Sequence, residues 1–321
     1  MKRKLTFALI TFFLFVFLFG EKNSTIRVGL LNGPTCIPAA YLMENQKEMT
    51  FEKFADPQAL LPKMIKNEID IGFMPVNVAA KVFNSGNKAI ICAAVTGQGN
   101  LSIITTDKSI RNFRQLKGKT IYTAGQGATP EYMLKYLLSK NKLTAGTSDD
   151  NDVLLDFSIP NAQIAAQLIS GKITYAAVPE PFVTIAKMKS KEAITLLVFQ
   201  KEYIECTGAK EIYPLSVMVV RKDFAEKNPE QLEKFLKEYE KSLEWTKKNP
   251  SAAGQLSNKH SLGLDAAVVE KAIPVSNYTF VPASKAIQSI EELLRIFLEN
   301  EKTSIGGKLP ENDFYYTKKN P

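Results

Sequence analysis

Polar residues beside glycines and prolines mark where this chain could bind a ligand. Thr129 precedes Pro130, which suits the first position of a helix, and Gln126 lies between two glycines in the turn just before it. The N–H groups and the dipole at a helix N-terminus favour a sulfonate, a carboxylate or a phosphate. We therefore expect Gln126 and Thr129 to contact a ligand. A plain helix cap at Thr129 and a solvated turn residue at Gln126 are the alternatives.

Uncharged polar residues occupy similar positions in the first third of the chain. Asn32 and Thr35 flank a Gly-Pro turn that follows one predicted strand and opens a helix. Asn77 lies two residues after a proline that ends a second predicted strand. Asn100 follows a Gly-Gln-Gly turn after a third strand. We expect all four side chains to face a ligand, although asparagine also stabilises turns without binding anything.

Glu180 adds a negative charge to this set. It stands between Pro179 and Pro181, which restrict the backbone on both sides and so orient the residue. A carboxylate would attract an amine or a protonated ring nitrogen, and a solvated structural glutamate is the alternative. Because Thr129 and Glu180 favour opposite charges, an amine-bearing anion such as taurine, or an aminopyrimidine, would satisfy both. Nitrate is less favoured, because the candidate loops contain no Arg or Lys.

The composition argues against several kinds of chemistry. His260 is the only histidine and lies among the predicted C-terminal helices, so a histidine-based metal site or a Ser/His catalytic pair has little to build on. Cys36, Cys92 and Cys206 are odd in number and far apart, which allows at most one disulfide. We expect Cys36 to behave as a small buried residue, and we expect no cofactor.

Short apolar runs alternate with amphipathic helices and predict an α/β fold. Two segments resemble each other, residues 64–79 (MIKNEIDIGFMPVNVA) and residues 168–183 (LISGKITYAAVPEPFV). Each reads as a helix, a turn, a strand beginning with isoleucine, and a proline. Each half then has two strand-to-helix loops at the carboxyl ends of parallel strands, where ligands bind in such sheets. A chance likeness between two α/β segments is the alternative.

The N-terminus has the pattern of a secretory signal. Three basic residues, 2–4, precede the uncharged run 5–19, which is short for a membrane span. We expect cleavage between Gly20 and Ser24; an uncleaved membrane anchor is the alternative. Loss of residues 1–20 leaves 38 basic and 33 acidic residues and lowers the net charge from +8 to +5. The remaining basic residues are scattered, which argues against nucleic-acid binding.

Five segments in order resemble the type II periplasmic binding proteins of ABC transporters, in the branch that serves nitrate, taurine, alkanesulfonates and the pyrimidine precursor of thiamine. No segment is specific alone, but their order and spacing cover nearly the whole chain after residue 25. They are Ile26–Tyr41, Ile69–Ala79, Leu116–Glu131, Ile173–Phe182 and Val219–Pro229.

The resemblance implies a two-lobed α/β Venus-flytrap, each lobe a mostly parallel sheet flanked by helices. One lobe would comprise residues 25–107 and 217–321, the other residues 108–216, with hinge crossings near 105–108 and 217–222. Such a protein is expected to be a monomer that captures a small molecule outside the membrane and presents it to a transporter permease, without chemistry. An enzyme of the same fold acting on a pyrimidine or another small metabolite is the main alternative, and a surface interaction protein is a third.

Overall fold

The computed structural model describes residues 25–86 and 88–318, so the predicted signal at residues 1–20 lies outside the described residues. The strands within these ranges are β1 (Ile26–Leu31), β2 (Met49–Phe54), β3 (Ile71–Pro75), β4 (Ile90–Gln98), β5 (Leu101–Thr105), β6 (Thr120–Thr123), β7 (Ala145–Gly146), β8 (Val153–Asp156), β9 (Tyr175–Pro179), β10 (Ile194–Val198), β11 (Pro214–Arg221) and β12 (Tyr278–Pro282).

The helices alternate with these strands. They are α1 (Ala40–Asn45), α2 (Pro57–Ile65), α3 (Val76–Ser85), α4 (Thr129–Lys140), α5 (Asn161–Ile169), α6 (Phe182–Lys189), α7 (Phe199–Thr207), α8 (Lys222–Lys227), α9 (Pro229–Lys248), α10 (Pro250–Lys259), α11 (Ala266–Ala272) and α12 (Ala283–Asn300). Short 3-10 helices cover Pro34–Ala39, Phe113–Leu116, Ile273–Val275, Lys302–Ile305 and Asn312–Phe314. Within the described ranges, none of the helices has the length and apolar character that a membrane span requires.

Within these ranges the strands form two six-stranded sheets, which confirms the predicted α/β fold. The first has the order β12-β4-β11-β3-β1-β2 and the second the order β10-β5-β9-β6-β8-β7. Both sheets are mixed, because β11 runs antiparallel between β3 and β4, and β5 runs antiparallel between β9 and β10. The strands β3 and β9 have the same pattern of pairing, each lying between one parallel and one antiparallel neighbour. The similarity between residues 64–79 and 168–183 therefore marks equivalent positions in the two sheets.

The crossings between the sheets differ from the predicted positions. Residues 101–105 were expected in the first lobe, but they form β5, which pairs with β9 and β10 of the second sheet. The first crossing is therefore at Gly99–Asn100 rather than at 105–108. The chain returns between Thr207 and Pro214 rather than at 217–222, because β11 already pairs with β3 and β4. We call residues 25–98 and 214–318 the first lobe and residues 101–207 the second lobe.

Helix α9 illustrates how the sequence pattern builds the first lobe. Its buried residues lie three or four positions apart along one face, while lysines and glutamates cover the other, as expected of an amphipathic surface helix. Pro229 is at its first position, where a missing N–H costs nothing. The buried residues are Leu232, Phe235, Tyr239, Ser242, Leu243 and Thr246.

A buried ion pair joins three neighbouring strands at the end of the first sheet away from the candidate loops. The Asp70 carboxylate, just before β3, accepts hydrogen bonds from Arg27 Nη2 at 2.6 Å and from Arg221 Nη2 at 3.0 Å. Arg27 belongs to β1 and Arg221 ends β11. Burial raises the pKa of Asp70, but the hydrogen bonds from the two arginines outweigh it and hold the pKa below its ordinary value of 3.8.

We predict that Asp70→Asn lowers the free energy of unfolding by about 3 kcal/mol, because it removes the buried negative charge between Arg27 and Arg221 and leaves Arg221 with only the exposed Asp223 as an acidic partner. The lowered pKa means that ionised Asp70 stabilises the fold at neutral pH, and that this contribution disappears as the pH falls below 3.8. Urea unfolding at pH 7 measures the loss. Glu68→Gln, which breaks the exposed Lys63–Glu68 pair, is the control and should change stability little. Equal effects of the two variants would contradict this role for Asp70.

Candidate functional site

The candidate loops lie at the carboxyl ends of parallel strands. Strands β1 and β3 are parallel neighbours in the first sheet, so the loops that follow them share one edge. Strands β6 and β9 are parallel neighbours in the second sheet in the same way. The two edges face each other, because Asn77 at the start of α3 bonds to Gly127 and Thr129 at the start of α4. The sequence prediction of two opposed sets of loops is therefore confirmed as geometry.

The loop after β1 contains Asn32 and Thr35. The Asn32 side chain is exposed, whereas the Thr35 hydroxyl is partly buried and donates to the main-chain oxygen of Leu31 at 2.8 Å. Gly33 has a φ of 108°, a conformation that favours glycine, and it precedes the 3-10 helix Pro34–Ala39. The Tyr278 hydroxyl donates to the Pro34 oxygen at 2.9 Å and joins this loop to β12.

Cys36 lies inside this loop and is fully buried, as expected. Its thiol donates to the Leu31 oxygen at 2.8 Å, and burial raises its pKa to about 12. Burial likewise raises the pKa of Cys92 to about 12, whereas Cys206 is exposed. All three cysteines are free thiols.

The turn before α4 differs from the predicted cap. Thr129 is the first residue of α4, and the N-cap position belongs to Ala128. The buried Thr129 hydroxyl donates to Asn77 Oδ1 at 3.1 Å instead of capping its own helix. Gln126 is exposed in the same turn.

A carboxylate that was not singled out from the sequence occupies the N-terminus of α4. Glu131 is buried, and its Oε2 accepts the Gly127 N–H at 2.7 Å, while Lys135 pairs with its other oxygen at 2.5 Å. This N–H group is one that an anionic ligand would need. Its position in the first helical turn, where acidic side chains are favoured, was the available sequence signal.

Asn77 is fully buried, and its polar atoms are paired inside the protein. Its Nδ2 donates to Gly127 O at 3.0 Å and to Ser304 O at 3.1 Å, while its Oδ1 accepts from the Thr129 hydroxyl. Ser304 lies in the C-terminal segment, whose position beside these loops was not predicted from the sequence.

Asn100 and Glu180 are neighbours at the crossing. The main-chain oxygen of Asn100 accepts the Glu180 N–H at 3.1 Å, and Asn100 Nδ2 donates to Ser276 O of the first lobe at 3.0 Å. Asn100 Oδ1 is buried and has no hydrogen-bond partner among the described residues. An acceptor left without a donor is costly in a protein interior, so this atom is suited to an N–H group.

The Glu180 side chain is only 8 % exposed, and its Oε2 accepts the Thr184 N–H at the start of α6 at 3.0 Å. Among residues 25–86 and 88–318, no lysine or arginine lies within ion-pair distance of this carboxylate. Burial raises the pKa of Glu180, and the Thr184 hydrogen bonds offset this only in part. A cation placed beside the carboxylate would offset the cost of burying its negative charge.

The described part of the chain contains no group of three or more His, Cys, Asp or Glu side chains that could hold a metal ion. His260 lies at the end of α10 on the outer surface of the first lobe, where its Nε2 is 3.0 Å from Glu44 Oε2. It therefore does not join the candidate loops.

The chain resembles one protein family in sequence and several solved structures in fold. The profile of the NMT1-like family matches residues 39–258. An ABC transporter structure from Parabacteroides distasonis superposes with a TM-score of 0.76 at 20 % identity, over 92 % of this chain and all of that one. No curated protein matches the sequence.

Two further structures are similar. The alkanesulfonate-binding protein SsuA from Xanthomonas axonopodis pv. citri, bound to MOPS, has a TM-score of 0.71 at 14 % identity, over 91 % of this chain and 98 % of that chain. The periplasmic nitrate-binding protein NrtA from Synechocystis PCC 6803 has a TM-score of 0.67 at 12 % identity, over 91 % of this chain and 87 % of that chain. These likenesses establish the type II periplasmic-binding-protein fold.

We predict that a thiol reagent labels one cysteine in the folded protein and all three after denaturation, because Cys36 and Cys92 are buried and protonated. Mass spectrometry after a short exposure to a maleimide measures the count. Cys206→Ser is the control and should remove the rapid label. Rapid labelling of Cys36 would contradict the packing of the loop after β1.

Proposed function

The chain belongs to the NMT1-like family, and from this premise we propose that it is the substrate-binding component of an ABC importer. It captures a small polar solute between its lobes outside the cytoplasmic membrane, as a monomer, and presents the solute to a permease. Support comes from the family match, from the fold of the similar transporter structures, and from two sets of polar loops that face each other. The predicted secretory signal agrees with this location.

The observation that carries the choice of ligand is the pair of acceptors at the crossing. The Glu180 carboxylate is buried without a counter-ion among the described residues, and Asn100, whose main chain bonds to that of Glu180, has a buried Oδ1 without a donor there. An amine or an aminopyrimidine carries several N–H donors and a positive charge or a tendency to acquire one. Such a group would satisfy both acceptors, so we propose that Glu180 and Asn100 bind the nitrogen end of the ligand.

The second lobe disfavours an anion at its helix N-termini. Glu131 accepts an N–H at the start of α4, and Glu180 does so at the start of α6. A sulfonate or carboxylate there would meet a like charge. We therefore propose that an acidic group, if the ligand has one, contacts the first lobe at Asn32 and at Thr35, whose hydroxyl would turn from the Leu31 oxygen to donate to the ligand, and that the exposed Gln126 amide contacts the ligand from the second lobe.

The buried acceptors and the acidic helix ends favour an amino sulfonate or an aminopyrimidine over nitrate or a simple sulfonate. Isothermal titration of the purified protein against matched pairs tests it, with taurine against ethanesulfonate and an aminopyrimidine against the same ring without the amino group. We expect measurable heat only from the amine-bearing member of a pair. Binding of ethanesulfonate or nitrate in preference to the amines would contradict the proposed ligand class, and conversion of a bound pyrimidine would support the enzyme alternative.

We predict that Glu180→Gln weakens binding of the amine-bearing ligand about tenfold or more, because hydrogen bonds to charged groups contribute about 1.5–3 kcal/mol. The wild-type affinity should also fall as the pH drops through the raised pKa of Glu180, since the carboxyl group then loses its charge. Titration calorimetry between pH 7 and pH 4 measures both effects.

Stability separates this role from a structural one. A raised pKa in the folded state means that ionised Glu180 destabilises the fold above that pKa, so Glu180→Gln should be at least as stable as wild type at pH 7. Glu202→Gln is the control, because burial also raises the pKa of Glu202, which lies in α7 away from the loops. A loss of stability with unchanged affinity in Glu180→Gln would show that the residue only supports α6.

A further inference from the structure

The Asn77 amide is the point at which three segments of the chain meet. Asn77 is the second residue of α3 and is fully buried. Both of its N–H groups and its oxygen are paired, to Gly127 O at 3.0 Å, to Ser304 O at 3.1 Å and to the Thr129 hydroxyl at 3.1 Å. Two of these partners belong to the second lobe and one belongs to the C-terminal segment of the first.

The bond to Ser304 orients the amide independently of the second lobe. Because one N–H is held by a carbonyl of its own lobe, the other N–H and the oxygen point towards Gly127 and Thr129 without further ordering. Separation of the lobes breaks both bonds to the second lobe and exposes these groups to water. A buried, prearranged set of hydrogen bonds contributes more to closure than exposed contacts do.

Other contacts between the lobes lie on the same side. The rings of Tyr132 in α4 and Phe297 in α12 are 5.7 Å apart between centroids. Lys135 in α4 is 3.4 Å from Glu301, three residues before Ser304. The start of α4 therefore rests on α12 and the C-terminal segment, and the fully buried Asn77 and Thr129 are hydrogen-bonded to each other within this contact.

We propose that Asn77 is a positioning residue that holds the lobes together in the absence of ligand, and not a residue that contacts ligand. The bonds of Asn77 to the second lobe favour the closed arrangement, so a ligand that binds this arrangement need supply less of the free energy of closure. Loss of this bond network lowers the fraction of protein able to bind. It weakens the binding of every ligand by the same factor, whereas the loss of a direct contact weakens only the ligands that make this contact.

Asn84 provides a matched control in the same helix. Its Nδ2 donates to Ile305 O at 2.7 Å and to Lys308 O at 2.6 Å, so it fixes the same C-terminal segment to α3. Among the described residues it makes no hydrogen bond to the second lobe. Asn77→Ala and Asn84→Ala therefore both release the segment, but only Asn77→Ala removes contacts between the lobes.

The test is small-angle X-ray scattering of the ligand-free protein together with thermal unfolding. We expect Asn77→Ala to shift the open–closed equilibrium about tenfold towards the open form and to increase the radius of gyration, because two hydrogen bonds between the lobes are lost. Asn84→Ala should lower the melting temperature and leave the radius of gyration unchanged. Equal scattering from Asn77→Ala and wild type, or equal expansion of both variants, would overturn the proposal.

Thr129→Val keeps the test decisive if Asn77→Ala folds poorly. It removes one hydroxyl, leaves Asn77 bonded to Gly127 and Ser304, and should produce a smaller expansion. Thr129→Ser retains the hydroxyl and should restore the wild-type scattering. An unchanged radius of gyration in Thr129→Val would count against the proposal. Because no ligand is present in these measurements, the outcome is independent of the ligand class proposed above.

Discussion

The two chain crossings between the lobes lie side by side, and this contact sets the positions of the loops at the facing edges of the two sheets. Gly99 N–H donates to Tyr213 O at 2.9 Å, and a Cβ on Gly99 would come within 2.5 Å of the Tyr213 ring. Only a residue without a side chain allows the two segments to approach this closely. The packing holds Asn100 next to Glu180 on one side and next to Ser276 of the first lobe on the other. The acceptors proposed to bind the ligand nitrogen are thus held beside the crossings, where a hinge motion of the lobes would displace them least.

The electrostatic character of the interlobe surface comes from carboxylates at helix N-termini. A helix N-terminus usually attracts anions, but Glu131 and Glu180 satisfy N–H groups at the starts of α4 and α6 from within the chain. The two residues differ in one respect, because Lys135 neutralises Glu131 whereas no basic residue in the described part of the chain pairs with Glu180.

The sequence predicted the fold class and the facing loops because both depend on local pattern. The likeness of residues 64–79 and 168–183 identified β3 and β9, because the pattern of helix, turn, strand and proline in each segment is local in the sequence. The crossings were misplaced because β4 and β5 are both short apolar runs, and only pairing of β5 with β9 assigns it to the second sheet. The hydroxyl of Thr129 was expected to contact a ligand, with a helix cap as the alternative, yet it donates to Asn77, which lies 52 residues away. Ser304 could not be placed at all, since its contact with Asn77 spans 227 residues.

In the proposals made above, selectivity and closure depend on different residues. Glu180 and Asn100 present acceptors at the crossing, where they can distinguish an amine from an anion. Asn77 and Thr129 satisfy each other at the contact between α3 and α4, so they have little capacity left to distinguish ligands. A change at the crossing should therefore alter which solute binds, whereas a change at Asn77 should alter how tightly any solute is held. This separation would let the family vary its ligands through single charges near the hinge while the contact that closes the lobes stays intact.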